Sequence, residues 1–316
     1  MLTKQEFITL IAALTLAIAA SAETPITLQT TSGEIYGTLV VPDNASRTAV
    51  LIIAGSGPTD RNGNSNVTGI ATDSYKMLAD SLASHGYASL RYDKRGIAAS
   101  AAAGTDESQL TFDAYIDDAA AWVDLLVADE RFDRVVLAGH SEGGLIALVA
   151  AKRNEQVAAV ITLAGVGEAI DATLRRQLAT QPEPYKSECY RIIDELKAGR
   201  KVTDVKPELA VLFRESVQPF LISQMRYDPA AEARALKVPL LVVQGTTDIQ
   251  INLNDAMKLS ISNFAAKLAI IKDMNHVLKP CASLDQQAQM MTYINSSTAL
   301  APTLVPTLVG FLNELK

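Results

Sequence analysis

Ser141 lies in Gly139-His140-Ser141-Glu142-Gly143, a G-x-S-x-G pentapeptide with an apolar run before it and a helical pattern after it. That context gives the motif its meaning. A serine on a tight strand-to-helix turn is lifted above the sheet edge, at the amino end of a helix whose dipole favours negative charge. The glycines answer a steric demand, because side chains at 139 and 143 would collide where the backbone doubles back. A serine hydroxyl is a poor nucleophile until a base takes its proton, so a histidine must come within hydrogen-bond reach. The chain has three histidines. His85 leads into a strand from its amino side, the wrong edge of the sheet, and the side chain of His140 should diverge from its neighbour Ser141. His276 follows an apolar run by the short loop Lys272-Asp273-Met274-Asn275, which puts it at the carboxyl edge and makes it the base by elimination.

The imidazole needs an acid to fix its tautomer and stabilise the imidazolium. Asp248 follows a buried run and the turn Gly245-Thr246-Thr247 at the same edge. Asp273 is the runner-up, but at three residues from His276 it would have to fold back upon it. A turn-capping role for Asp248 is the plain alternative, since aspartate is favoured in turns. Acyl transfer also needs two N–H groups aimed at the developing oxyanion. The residue after the nucleophile, Glu142, supplies one from its backbone. Gly55-Ser56-Gly57-Pro58 follows an earlier apolar run, so the Ser56 N–H is the candidate for the second, with Gly57 as alternative.

These residues require a scaffold that brings the ends of several strands together. Ile26–Thr30 and Ile35–Val41 are short β-branched runs around Thr31-Ser32-Gly33-Glu34, a hairpin signature. Thr48–Ala54 is continuously apolar, as a strand buried on both faces must be, and similar runs follow at Ala88–Tyr92, Arg134–Ala138, Ala158–Leu163, Pro239–Gln244 and Lys267–Ile271. Helical patterns lie between or after them at Asp73–Ser84, Phe112–Ala128, Gly144–Lys152, Asn254–Ser260 and Pro302–Leu315. This alternation specifies an α/β fold, a mostly parallel sheet covered by helices on both faces.

One segment breaks the alternation. Residues 168–237 have no buried-strand run, and 23 of their 70 positions are charged against 40 of the other 246. Helical runs at Tyr185–Lys197 and Glu208–Gln218 make it an inserted helical cap over the sheet's carboxyl edge, splitting a catalytic domain of 23–167 and 238–316. A peripheral extension is the alternative. Ahead of the domain, Lys4, the apolar run Phe7–Ala19 and the small-residue site Ala20-Ser21-Ala22 read as a signal peptide over 1–22. The expected product is an exported protein, periplasmic or secreted, without stable membrane insertion, since no second apolar run approaches spanning length.

The formal net charge of −7 argues against a nucleic-acid partner, which would call for a basic face. Two cysteines and three histidines, scattered without close spacing, predict no metal site. In an oxidising compartment Cys189 and Cys281 could be bridged, tying the cap to the loop after His276, or could be two isolated thiols; the sequence leaves both open.

The motifs, taken in order, resemble the serine-hydrolase branch of the α/β-hydrolase superfamily, in particular cap-bearing bacterial esterases of the serine-aminopeptidase-like group. The resemblance runs from about Ile35 to the carboxyl terminus. Leu51-Ile52-Ile53-Ala54-Gly55-Ser56-Gly57-Pro58 is similar to the oxyanion strand and loop, with Ala54 where many members carry histidine. Arg91-Tyr92-Asp93-Lys94-Arg95-Gly96 resembles the next loop, which continues with Ala98 in place of a glycine; Asp93 and Arg95 are expected to form a loop-fixing charge pair. Gly139–Gly144, Gly245–Asp248 and Met274–His276 complete the set, and the order Ser141, Asp248, His276 is that of the superfamily.

The resemblance implies hydrolysis of a small-molecule carboxylic ester through an acyl-enzyme on Ser141, with no cofactor; a short to medium acyl chain is expected because the cap has no long apolar tract. An aminopeptidase or amidase on the same triad is the competing enzyme, and it would need cap carboxylates for the substrate's amino terminus. A non-catalytic binding protein on a hydrolase scaffold would lack a triad member, and here all three are present.

Overall fold

The computed structural model describes residues 22–104 and 106–315, so the expected leader falls, apart from Ala22, outside the described residues. β1 (Ala22–Thr30) and β2 (Gly33–Val41) form an antiparallel hairpin. Its turn is tighter than the β-branched runs suggest, because Thr30 pairs directly with Gly33. β3 (Thr48–Ile53) follows, then a small antiparallel ribbon of β4 (Asn64–Ser65) and β5 (Ile70–Ala71). Next come α1 (Ser74–Ser84), β6 (Ala88–Tyr92), α2 (Phe112–Val127), β7 (Arg134–His140), α3 (Glu142–Arg153) and β8 (Val157–Leu163). A helical stretch of α4 (Ile170–Leu178), α5 (Tyr185–Lys197), α6 (Ala210–Phe213), α7 (Gln218–Gln224) and α8 (Pro229–Ala235) intervenes before the sheet resumes. The chain then closes with β9 (Leu240–Gly245), α9 (Leu253–Ser262), β10 (Lys267–Ile271), α10 (Gln286–Tyr293) and α11 (Leu304–Glu314).

The main sheet has eight strands in the order β1-β2-β6-β3-β7-β8-β9-β10. Pairing is antiparallel at β1/β2 and β2/β6 and parallel elsewhere. The two-residue period of β3 divides its side chains between two cores. Ala49, Leu51 and Ile53 pack on the face covered by α2 and α3, with Phe112, Trp122 and Leu145. Val50 and Ile52 pack on the other face, with Leu78 of α1 and Leu308 of α11. β3 is flanked by β6 on one side and β7 on the other, so the chain's path diverges after it and opens a crevice at the carboxyl ends of the strands.

The helices of residues 170–235 have a small core of their own around Cys189, Ile192, Ile193, Leu196 and Phe213. α5 spans the expected Tyr185–Lys197. The single helix expected over Glu208–Gln218 is instead broken at Arg214, whose extended backbone (φ −50°, ψ 147°) lets its guanidinium reach Glu107 of the sheet domain. The expected Asp93–Arg95 pair is also corrected. Asp93 is bound by Arg61, while Arg95 turns the other way to Asp118 of α2. The two do not pair with each other because each is drawn to an oppositely charged group on a different element. Cys189 is buried among the insertion helices and Cys281 is partly exposed in the loop after His276; both are free thiols.

Candidate active site

β7 ends at His140 and α3 begins at Glu142, so Ser141 alone makes the turn between strand and helix. Its backbone sits at φ 54° and ψ −120°, a conformation an L-residue adopts only when its surroundings enforce it. The enforcement is visible. The Ser141 N–H is held by the Leu163 carbonyl at 2.8 Å, and its own carbonyl receives the Gly144 N–H at 3.0 Å. A Cβ on Gly139 would lie 2.0 Å from the Gly143 carbonyl oxygen, and one on Gly143 would lie 2.4 Å from the Ile53 carbonyl oxygen. The turn is therefore closed to larger residues at both positions.

Strand register brings the remaining loops to the serine. Ile53 is level with Gly139, so the segment Ala54–Pro58 emerges beside Ser141, and the Cβ position of Gly55 lies 3.2 Å from Ser141 Cβ. Gly245 is level with Ile271, so the loops carrying Asp248 and His276 emerge together. His276 Nδ1 donates to Asp248 Oδ2 at 2.8 Å, and Ser141 and His276 line one small cavity of about 100 Å³ with Gly55 and Ser56. Among the described residues the Ser141 hydroxyl has no hydrogen-bond partner.

Asp248 is fixed on both oxygens. Oδ2 also accepts from Gln244 Nε2 at 3.1 Å, and Oδ1 accepts the backbone N–H groups of Gln250 at 2.8 Å and Ile251 at 2.9 Å. Burial alone would raise its pKa, but the His276 imidazole and these donors outweigh burial and hold the carboxyl below its ordinary value. Asp248 thus stays a carboxylate, able to accept the His276 Nδ1–H. Asp273, the alternative acid, makes no hydrogen bond to His276; its N–H is taken by Thr246 Oγ1 and its carbonyl by the Cys281 N–H.

The backbone N–H groups of Ser56 and Glu142, the two expected oxyanion donors, have no partner among the described residues. They are free donors near Ser141, of the kind a developing oxyanion would require. Supporting residues that sequence reasoning did not single out surround them. His140 does diverge from Ser141, and its ring joins two loops: Nε2 donates to the His276 carbonyl at 2.7 Å, and Nδ1 faces the Tyr75 hydroxyl at 2.7 Å. A carbonyl only accepts, so the proton belongs on Nε2 and Tyr75 donates to Nδ1. Burial, and then the neighbouring His276, lower the His140 pKa to about 3, keeping the ring neutral. The Tyr75 oxygen in turn accepts the Gly55 N–H at 3.1 Å. Nothing in the helical pattern around Tyr75 marks it for this task, because the contact depends on α1 packing beneath the loop.

Lys94 is almost wholly buried, and its ammonium donates to the Gly55 carbonyl. It lies 3.9 Å from the Glu142 carboxylate, which also accepts from Gln224 Nε2 of α7 at 2.9 Å. Burial lowers the pKa of Lys94 and raises that of Glu142. Beyond them a larger cavity of about 620 Å³ extends from Ser141 between the strand ends and the helices of the insertion. Its walls are mainly apolar, including Ile97, Leu145, Val166, Leu174, Phe220 and Leu221.

Comparison with known proteins finds relatives in sequence and in fold. A family model described as serine aminopeptidase, S33, matches residues 69–211. Over 238 residues the chain is 26% identical to Esterase EstD of Thermotoga maritima, covering 73% of this chain and 54% of that protein. The chain spans about half the length of this curated relative. Among solved structures, Est1E from Butyrivibrio proteoclasticus matches with a TM-score of 0.58 at 17% identity, over 92% of this chain and 98% of the other. A thermophilic esterase from Thermogutta terrifontis matches with a TM-score of 0.54 at 19% identity, over 93% of this chain and 99% of the other.

Proposed function

We propose that this chain, which has the α/β-hydrolase fold, is a member of that superfamily and a serine carboxylesterase acting through an acyl-enzyme on Ser141. The observation that carries the reading is the convergence of a strained serine, a histidine bonded to a buried carboxylate, and two free backbone N–H groups at the mouth of an apolar cavity. In this mechanism His276 takes the Ser141 proton as Oγ attacks the ester carbonyl. The Ser56 and Glu142 N–H groups receive the oxyanion, and Asp248 stabilises the imidazolium. The imidazolium then protonates the leaving alcohol, and water, deprotonated by His276, releases the acid and restores Ser141.

The cavity favours an uncharged ester over a peptide amino terminus. An aminopeptidase must present an uncommitted carboxylate to the substrate's ammonium group. The acidic residues lining the cavity are Glu107, Glu142 and Glu168, and each already faces a cation: Arg214, Lys94, and Arg176 with Lys258. Arg95, the other cation at the wall besides Arg214, is bound to Asp118. Short to medium acyl chains suit such a wall, where each well-packed methylene contributes on the order of 1 kcal/mol. Export of the mature chain is part of the proposal and rests on Lys4, the apolar run and Ala20-Ser21-Ala22. Among the described residues no helix is long and apolar enough to cross a membrane.

The test is labelling of the purified protein with a fluorophosphonate, with Ser141→Ala as control, followed by comparison of p-nitrophenyl esters with amino-acid arylamides. Ser141-dependent labelling and preference for the esters are expected. Absence of that labelling would overturn the enzyme reading, and preference for the arylamides would replace the esterase with an aminopeptidase.

A further inference from the structure

We propose that Lys94 and Tyr75 are positioning residues that aim the Ser56 N–H at the oxyanion by pinning Gly55 from both sides. The inference deepens the serine-hydrolase reading above and rests on it. The two polar backbone atoms of Gly55 point to different partners: its N–H to the Tyr75 hydroxyl at 3.1 Å, and its carbonyl to the Lys94 ammonium. The Gly55–Ser56 peptide is trans, the cis bond among the described residues being Glu183–Pro184. In a trans peptide the carbonyl oxygen and the following N–H point in opposite directions. Drawing the Gly55 oxygen toward Lys94 therefore turns the Ser56 N–H away from it, and that N–H has no partner of its own.

A buried ammonium is a costly device for this purpose. Lys94 is 1% exposed and sits 5.0 Å from the centre of the Tyr115 ring. Its hydrogen bond among the described residues goes to Gly55; the Glu142 carboxylate at 3.9 Å is beyond hydrogen-bond range. A role limited to neutralising Glu142 would favour the shorter contact with the carboxylate rather than with a carbonyl. A glycine loop left untethered could rotate this peptide, because glycine has no Cβ to restrict it. Two tethers on one residue remove that freedom before substrate arrives, the preorganisation on which oxyanion stabilisation depends.

The experiment measures kcat and KM on one p-nitrophenyl ester, with inhibition by a trifluoromethyl ketone, which forms a tetrahedral oxyanion on serine, and by the product acid. Lys94→Met is expected to lower kcat roughly 100-fold and to weaken the ketone by a similar factor, with KM and product inhibition changed less than about threefold. Tyr75→Phe, which keeps the ring, is expected to show the same pattern at about tenfold, and it carries the test if Lys94→Met does not fold. The same loss on adding Lys94→Met to a Glu142→Gln background is expected; recovery of kcat in that double variant would make Lys94 a charge neutraliser and overturn the proposal. Unchanged ketone affinity in the folded variants would also overturn it, while Ser141-dependent labelling in the wild type would leave the hydrolase reading standing.

Discussion

Asp248 illustrates how one side chain is committed to a single partner's chemistry. Its four hydrogen bonds leave no oxygen to rotate toward solvent, and they hold His276 with its Nδ1–H toward the carboxylate. Asp248→Asn should keep the fold but favour the wrong imidazole tautomer. We expect kcat on an ester to fall by roughly 10³ to 10⁴ with KM little changed, measured by steady-state kinetics. His140 leads to a prediction about pH. Its folded-state pKa is depressed to about 3 from 6.5, so as pH falls through this window the unfolded chain binds a proton that the folded chain refuses. Its contribution to stability is therefore complete above about pH 6.5 and declines toward pH 3, by on the order of a few kcal/mol. Urea midpoints across this range should fall with decreasing pH, and His140→Gln should flatten the slope; an equal slope in the variant would remove His140 as the cause. That the His140 side chain diverges from Ser141 was readable, but its bridge from Tyr75 to the His276 carbonyl joins residues 65 and 136 positions away.

At the scale of elements, the glycines of the β7–α3 turn and of α11 make a controlled contrast. A methyl group at position 143 would meet the Ile53 carbonyl of β3, a backbone that cannot yield without disturbing the sheet. Gly143→Ala is expected to lower stability by about 2–4 kcal/mol and to displace Ser141. Gly310 lies in α11 with nothing within 4 Å of the corresponding position, so Gly310→Ala should raise stability by roughly 0.5–1 kcal/mol through helix propensity. Denaturant midpoints of the two variants check both signs. The parallel strands were legible because burial on both faces requires continuous apolar runs such as TAVLII. α10 was not, since QQAQMMTY buries only Gln289 and Tyr293 and leaves no apolar stripe to read. The break at Arg214 was likewise invisible, because it answers to Glu107, more than a hundred residues away.

Across the whole molecule, charged side chains join elements that hydrophobic packing alone would leave free to shift. The Arg95–Asp118 pair ties the loop after β6 to α2 with both groups largely buried. Burial raises the Asp118 pKa and Arg95 opposes it, so Arg95→Ala would strand a buried carboxyl. We expect a loss of roughly 3–5 kcal/mol, seen as a lower denaturant midpoint, and partial recovery when Asp118→Asn is added. The two cysteines supply a further check. One thiol should react rapidly with a thiol reagent in the native protein, Cys281, and the second, Cys189, only on unfolding. Two unreactive positions that become available only after reduction would restore the bridge between them.

The residue types and their order along the chain, Ser141 in its glycine turn, Asp248 and His276 each following a buried run, were determined by sequence alone. Such local motifs need only their own neighbours to be specified. The tertiary structure decided what depends on separation in sequence: which partners Asp93 and Arg95 take, where the 170–235 helices turn, and how Tyr75 and Lys94 reach Gly55. Charge pairing and hydrogen bonding select among many candidates of the same type, and only the packing of strands and helices brings one of them within hydrogen-bond reach.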